Sequence, residues 1–223
     1  MDWEPLVLTF KLAACTTLLL LLFGTPIAYW LAHTTSRCKP VVETLVSMPL
    51  VLPPTVLGFY LLVAFSPNNG LGHWLESFLG IRLLFSFSGL IIGSMLYSLP
   101  FMVHPIQAGM QKIPKGYQEA AYILGKSKWT TFIEITIPLL KTSLLTGIVL
   151  SFTHTIGEFG VVLMIGGNIP GITKVASIAI YDEVESLNYV LANRYSFLLF
   201  AITFAILLGV YSLNGNALKR FQS

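Results

Sequence analysis

Stretches of about twenty residues without a charged side chain recur along this chain, at Leu12 to Leu31, Thr44 to Phe65, Leu83 to Val103 and Tyr195 to Leu218. A helix needs roughly 20 predominantly apolar residues to cross the hydrocarbon layer, so each stretch reads as a membrane span. A fifth, from about Leu139 to Gly167, is uncharged apart from Lys141 and Glu158. The expectation is an all-α integral membrane protein with about five transmembrane helices in one domain, 1–223, with spans at about 8–32, 43–66, 84–107, 139–165 and 195–217. With 55% hydrophobic and only 10% charged residues, the chain has too little polar surface to cover a water-soluble core.

Acidic Asp2 and Glu4 precede the first apolar run, which is long and shows no small-residue cleavage site before Arg37, so it reads as a mature helix rather than a signal peptide. Cys15 and Cys38 suggest neither a disulfide framework nor a metal site, and no metal is expected. Five crossings put the termini on opposite sides of the membrane. Placing the N-terminus outside leaves Arg37, Lys39, Lys112, Lys115, Lys126, Lys128, Lys141, Lys219 and Arg220 in the cytoplasm, against Lys11, Arg82, Lys174 and Arg194 outside. The positive-inside rule therefore favours N-terminus out, C-terminus in.

The second and third spans hold Pro49, Pro53, Pro54 and Gly58, then Gly89, Gly93 and Pro100. Prolines and glycines at membrane depth are tolerated where neighbouring helices or a wet cavity satisfy the freed backbone groups. Met48 to Pro54 therefore reads as a broken helix.

Between the third and fourth spans, the segment 111–138 is too polar to span. Pro114 suits a helix start and Gly125 a helix end. The short helix between them offers Tyr117, Ile123 and Leu124 as apolar anchors, with Ala120 and Ala121 small enough for a partner's groove to approach the backbone. A second short helix, Trp129 to Ile137, is expected to end at Pro138, which then opens the fourth span.

Glu119, Ala120, Ala121, Gly125, Ile135 and Pro138 occur at the spacing of the EAA motif of ABC-importer permeases, which this segment resembles, with Ile137 where that family usually has Leu. The resemblance implies a type I ABC importer permease fold and a coupling helix seated in a cleft of a separate ATPase. The chain has no Gly-x-x-x-x-Gly-Lys-Ser/Thr loop, so it is expected to bind no cofactor itself, ATP and Mg being used by the partner. Implied partners are two ATPase copies, a second copy of this chain, an extracytoplasmic binding protein and the lipid of a bacterial or archaeal cell membrane, with no nucleic acid.

The run from Met48 through Pro53, Pro54, Thr55 and Gly58, together with Gly157-Glu158-Phe159-Gly160 and Asn168-Ile169-Pro170-Gly171, resembles molybdate permeases. Sulfate and tungstate permeases remain alternatives; the sulfate branch typically carries Tyr where this chain has Phe159. Broken helices near Pro53 and Gly157 would offer helix N-termini to an oxyanion. Thr55, Ser151, Thr153 and Thr155 either line that pathway or bond their own helix carbonyls. Glu158 facing lipid would cost about 2.5 to 3.5 kcal/mol, so it is expected to face the bundle and brace a gate, with His154 four residues earlier as a possible partner. The resemblance also implies that Asn168 to Arg194 caps the pathway outside the membrane. Gly70 to Phe85 reads as an interfacial helix. An integral membrane enzyme built on His33, His73, His104 and His154 is disfavoured, because they are scattered and no spaced acidic motif accompanies them, and no catalytic residue is assigned.

Overall fold

The computed structural model describes residues 2–220, so the expected domain bounds, 1–223, reach beyond it at both ends. Every regular element among the described residues is a helix. Three helices are individually long and apolar enough to cross a membrane: α1 (Glu4–His33), α5 (Phe87–Gln111) and the Tyr189–Val210 part of α12 (Tyr189–Arg220). Two bent pairs bring the number to five.

In the first pair, α2 (Lys39–Val51) and α3 (Pro54–Phe65) meet at 115°. Pro53 and Pro54 supply no N–H to continue the ladder, and Pro53 takes an extended ψ of 137°, which turns the chain. The expected span at 43–66 is thus two helices, as the proline cluster suggests.

The second pair corrects the sequence reading. Pro138 does not open the fourth span. The helix begun by α7 (Lys128–Thr131) runs through a π-turn at Phe132–Thr136 into α8 (Ile137–Leu139), and the chain bends by 70° at Leu140 before α9 (Lys141–Ile156). A π-turn widens the helix just before the proline ring, relieving its clash with the preceding turn. The expected continuous span 139–165 is also divided, into α9 and α10 (Gly160–Gly166), by a break at Gly157–Phe159.

The remaining helices are short: α4 (Gly70–Leu79), α6 (Lys115–Ile123) and α11 (Ala176–Glu185). The interfacial helix expected to Phe85 stops at Leu79, because Gly80 takes the left-handed conformation at φ 64° and caps it. Its Trp74 and Phe78 remain exposed.

Packing centres on α5, held between α1 and α9 by small residues. A Cβ on Gly24 of α1 would lie 3.1 Å from Met102 Cγ, and one on Gly147 of α9 would lie 3.1 Å from Met102 Sδ. Met102 is thereby fully buried with Leu20, Ala28, Leu31, Val103 and Ile106 in the largest apolar cluster. Close approach through glycine replaces the hydrophobic driving force that lipid does not supply. At the other end, Leu8, Leu12, Leu90, Val162, Val175 and Ile178 tie α10 and α11 to α1.

Candidate functional site

The helix breaks at Pro53 and at Gly157–Phe159 are more than 100 residues apart in sequence, and the fold places them together. Gly160, the first residue of α10, packs on the start of α3: a Cβ there would lie 2.7 Å from Pro54 Cβ and 3.4 Å from the Thr55 backbone nitrogen. The contact is reciprocal. A Cβ on Gly58 of α3 would lie 2.8 Å from Met164 Cβ and 3.2 Å from Val161 Cα on α10. Only residues lacking a side chain let two such short helices cross this closely.

Around this crossing the expected pathway residues divide. Pro53, Thr55 and Gly157 are exposed, Pro54 and Phe159 are half-buried, and Thr155 and Glu158 are buried. Thr155 donates to the Ser151 carbonyl at 2.8 Å, and Thr153 donates to Val149 at 2.8 Å, so both bond their own helix. Ser151 is buried, and its hydroxyl has no partner among the described residues. Thr55 remains an exposed hydroxyl at the α3 start.

Glu158 is 4% exposed, and neither carboxyl oxygen has a hydrogen-bond partner among the described residues. The Ser94 hydroxyl of α5 lies beside it but outside hydrogen-bonding geometry. The main chain is anchored instead: Ser177 of α11 donates to the Glu158 carbonyl at 2.6 Å, and the Phe159 ring lies 5.1 Å from that of Tyr181. Pairing of His154 with Glu158 does not occur, because α9 ends at Ile156 and the two residues do not share a helix face. His154 Nδ1 shares a hydrogen bond with Ser98 Oγ at 3.0 Å, and its ring stacks on Phe101 at 4.0 Å between centroids.

The 111–138 segment lies at the far end of the bundle's long helices. α6 closes with a Schellman turn: Gly125 takes φ 75°, its N–H bonds Tyr122 at 3.0 Å, and Lys126 N–H bonds Ala121 at 3.0 Å. Glu119, Ala120 and Gly125 are exposed, and so are Tyr117, Ile123 and Leu124, the last two at 86% and 77%. Ala121 differs from the expectation: it is 2% exposed and faces its own chain. Ile135 is half-buried in the π-turn, and Pro138 is exposed in α8.

Residues 24–218 match the family described as binding-protein-dependent transport system inner membrane component. The chain belongs to that family. This transport component is 46% identical to the molybdenum transport system permease protein ModB of Azotobacter vinelandii, over 95% of this chain and 93% of the relative. It is 36% identical to the putative molybdenum transport system permease protein YvgM of Bacillus subtilis strain 168, over 92% and 90%. The sulfate transport system permease protein CysT of Escherichia coli K12 is 30% identical, over 89% and 71%. Among solved structures, a bacterial ABC transporter involved in import of the acidic polysaccharide alginate superposes with a TM-score of 0.75 at 17% identity, covering 97% of this chain and 80% of that one. The fold of this inner membrane component is therefore that of an ABC importer permease.

One feature of the permease escapes a reading of its spans and motifs. Along α5, Ser94 and Ser98 share one face and His104 and Gln107 another, a polar series about 20 Å from end to end at 1.5 Å per residue. Ser98 bonds Thr155 at 3.0 Å as well as His154, Ser47 of α2 bonds His104 Nε2 at 3.2 Å, and Gln107 donates to Glu43 of α2 at 2.8 Å. The first pair links α5 to α9 and the second links it to α2, the helices that precede the two breaks. The four-residue spacing of Ser94 and Ser98 and the three-residue spacing of His104 and Gln107 were the signal, masked by the apolar residues around them.

Proposed function

We propose that this permease carries molybdate inward across a bacterial or archaeal cell membrane. The observation that carries this reading is the 46% identity to a molybdenum permease along almost the whole chain. In the proposed assembly two copies of the chain enclose the pathway, two separate ATPase subunits use ATP and Mg, and an extracytoplasmic molybdate-binding protein delivers the anion. The orientation proposed is N-terminus outside and C-terminus cytoplasmic. Exposed Leu50, Val51, Phe59 and Tyr60 on α2 and α3 support a second copy at that face, since they flank a broken helix that needs protein or water around it.

α6 is the proposed coupling helix. Ile123 and Leu124 stand out from the bundle as an apolar docking edge, with Glu119 and Ala120 on the same short helix and Gly125 fixing its end. Ile135 and Pro138 pass displacement toward α9. Where α3 and α10 cross, Pro53, Pro54, Thr55, Gly157, Glu158 and Phe159 form the proposed gate, and Thr155 supports it from α9. A dianion needs no paired cation where backbone N–H groups face it; because Pro53 and Pro54 have none, the donors offered at this crossing are the Thr55 N–H of α3 and the first amides of α10.

The test is ATP-dependent uptake into proteoliposomes holding the permease, its ATPase and its binding protein, with molybdate, tungstate and sulfate supplied separately. Molybdate uptake abolished by omitting the ATPase supports the proposal. Uptake of sulfate in preference to molybdate would reassign the substrate, and uptake without the ATPase would remove the coupling role. A reporter fused to the C-terminus that is active only outside the cytoplasm would reverse the orientation.

A further inference from the structure

On the face of α1 turned away from α5, an open groove of about 1000 Å³ runs between α1 and the bent α7–α9 unit. Leu18, Leu22 and Tyr29 form one wall and Phe132, Leu140 and Leu144 the other. The groove exists because the 70° bend at Leu140 carries α7 and α8 away from the line of α9. Leu18 and Leu22 are 67% and 64% exposed, so nothing among the described residues fills this space.

Its dimensions and chemistry specify one kind of occupant. From Leu18 to Tyr29 is eleven helical steps, about 16 Å, and a single leaflet's hydrocarbon is about 15 Å deep. The groove therefore extends from the middle of the membrane to one surface. At the surface end lie Lys128 and Trp129, both lining it. Trp129 is 70% exposed and stacks on Phe132 at 6.1 Å between centroids, a placement suited to the headgroup level. Lys126 is paired with Glu134, whereas Lys128 has no carboxylate partner among the described residues. A lysine without a counter-charge at the mouth of an apolar slot one leaflet deep calls for an anionic head on an acyl chain.

We propose that this groove is a binding site for an anionic phospholipid, with one acyl chain between α1 and α9 and the phosphate against Lys128. The site is separate from the crossing of α3 and α10 and from the exposed edge of α6.

The experiment is native mass spectrometry of the full-length chain released from vesicles of equal phosphatidylglycerol and phosphatidylcholine. Wild-type protein is expected to retain phosphatidylglycerol at severalfold its bulk ratio. Lys128→Gln is expected to bring that ratio back to the bulk value, and Leu22→Trp, which fills the slot, to reduce total retained lipid. An unchanged ratio in Lys128→Gln overturns the headgroup assignment. Unchanged retention in Leu22→Trp overturns the groove as the site. Disulfide-linked dimers formed by Leu22→Cys in a Cys15→Ser, Cys38→Ser background would give the groove to a second copy and also overturn it.

Discussion

Gly160 and Pro54 touch across the two helix breaks, at a separation that leaves no room for a β-carbon on the glycine. Gly160→Val is expected to push α3 and α10 apart. Overpacking a close contact costs about 1–3 kcal/mol, so the thermal midpoint in detergent should fall. Molybdate uptake in proteoliposomes is expected to fall further than the folded fraction does, because the displaced helices form the proposed gate. Uptake tracking the folded fraction alone would show that the crossing is structural.

Glu158 is buried with neither oxygen bonded, and an unsatisfied buried polar group costs about 1–3 kcal/mol or more. Glu158→Leu is expected to raise the thermal midpoint while lowering uptake about tenfold, equivalent to about 1.4 kcal/mol on the transport barrier. Paired unfolding and uptake measurements check this. Wild-type uptake in that variant would discard the gating role.

The α6 terminus gives a cleaner separation of folding from docking. Beyond its two chain neighbours no atom lies within 4 Å of where a Gly125 side chain would begin, yet its φ of 75° makes a branched residue strained, by about 1–2 kcal/mol. Gly125→Val is therefore expected to leave the bundle's unfolding midpoint nearly unchanged and to weaken co-purification of the ATPase. Ala120→Arg is expected to do the same by obstructing the exposed face. Ala121→Arg, at a buried position, is expected to lower the midpoint as well.

Met102→Ala would open a void where α1, α5 and α9 meet. Large-to-small changes at such sites cost about 2–5 kcal/mol. The expected result is a substantial loss of thermal stability, read by static light scattering of the detergent-solubilised chain, with uptake per folded molecule preserved.

The spans were legible because charge is excluded from lipid-depth stretches, and the break at Pro53 because proline removes a donor wherever it sits. The end of α6 was legible at Gly125 for a similarly local reason. What sequence patterns missed were relationships between distant segments. Ala120 and Ala121 are chemically identical neighbours, and only the packing beneath α6 decides that one faces outward and the other inward. His154 and Glu158 have the spacing of a helical pair, but the helix stops between them. Pro138 reads locally as a first-turn residue, yet the π-turn ahead of it lets the helix continue and moves the bend to Leu140. The meeting of Gly160 with Pro54 carries no local signal at all.

The bend at Leu140 has a mechanical corollary. The segment Lys128–Leu139 is twelve residues of nearly continuous helix, about 18 Å long. Pivoting at Leu140, such an arm turns a shift of about 3 Å at its outer tip into a tilt of about 10° at the foot of α9. A motor moving α6, which leads into this arm, needs strokes no larger than a side chain.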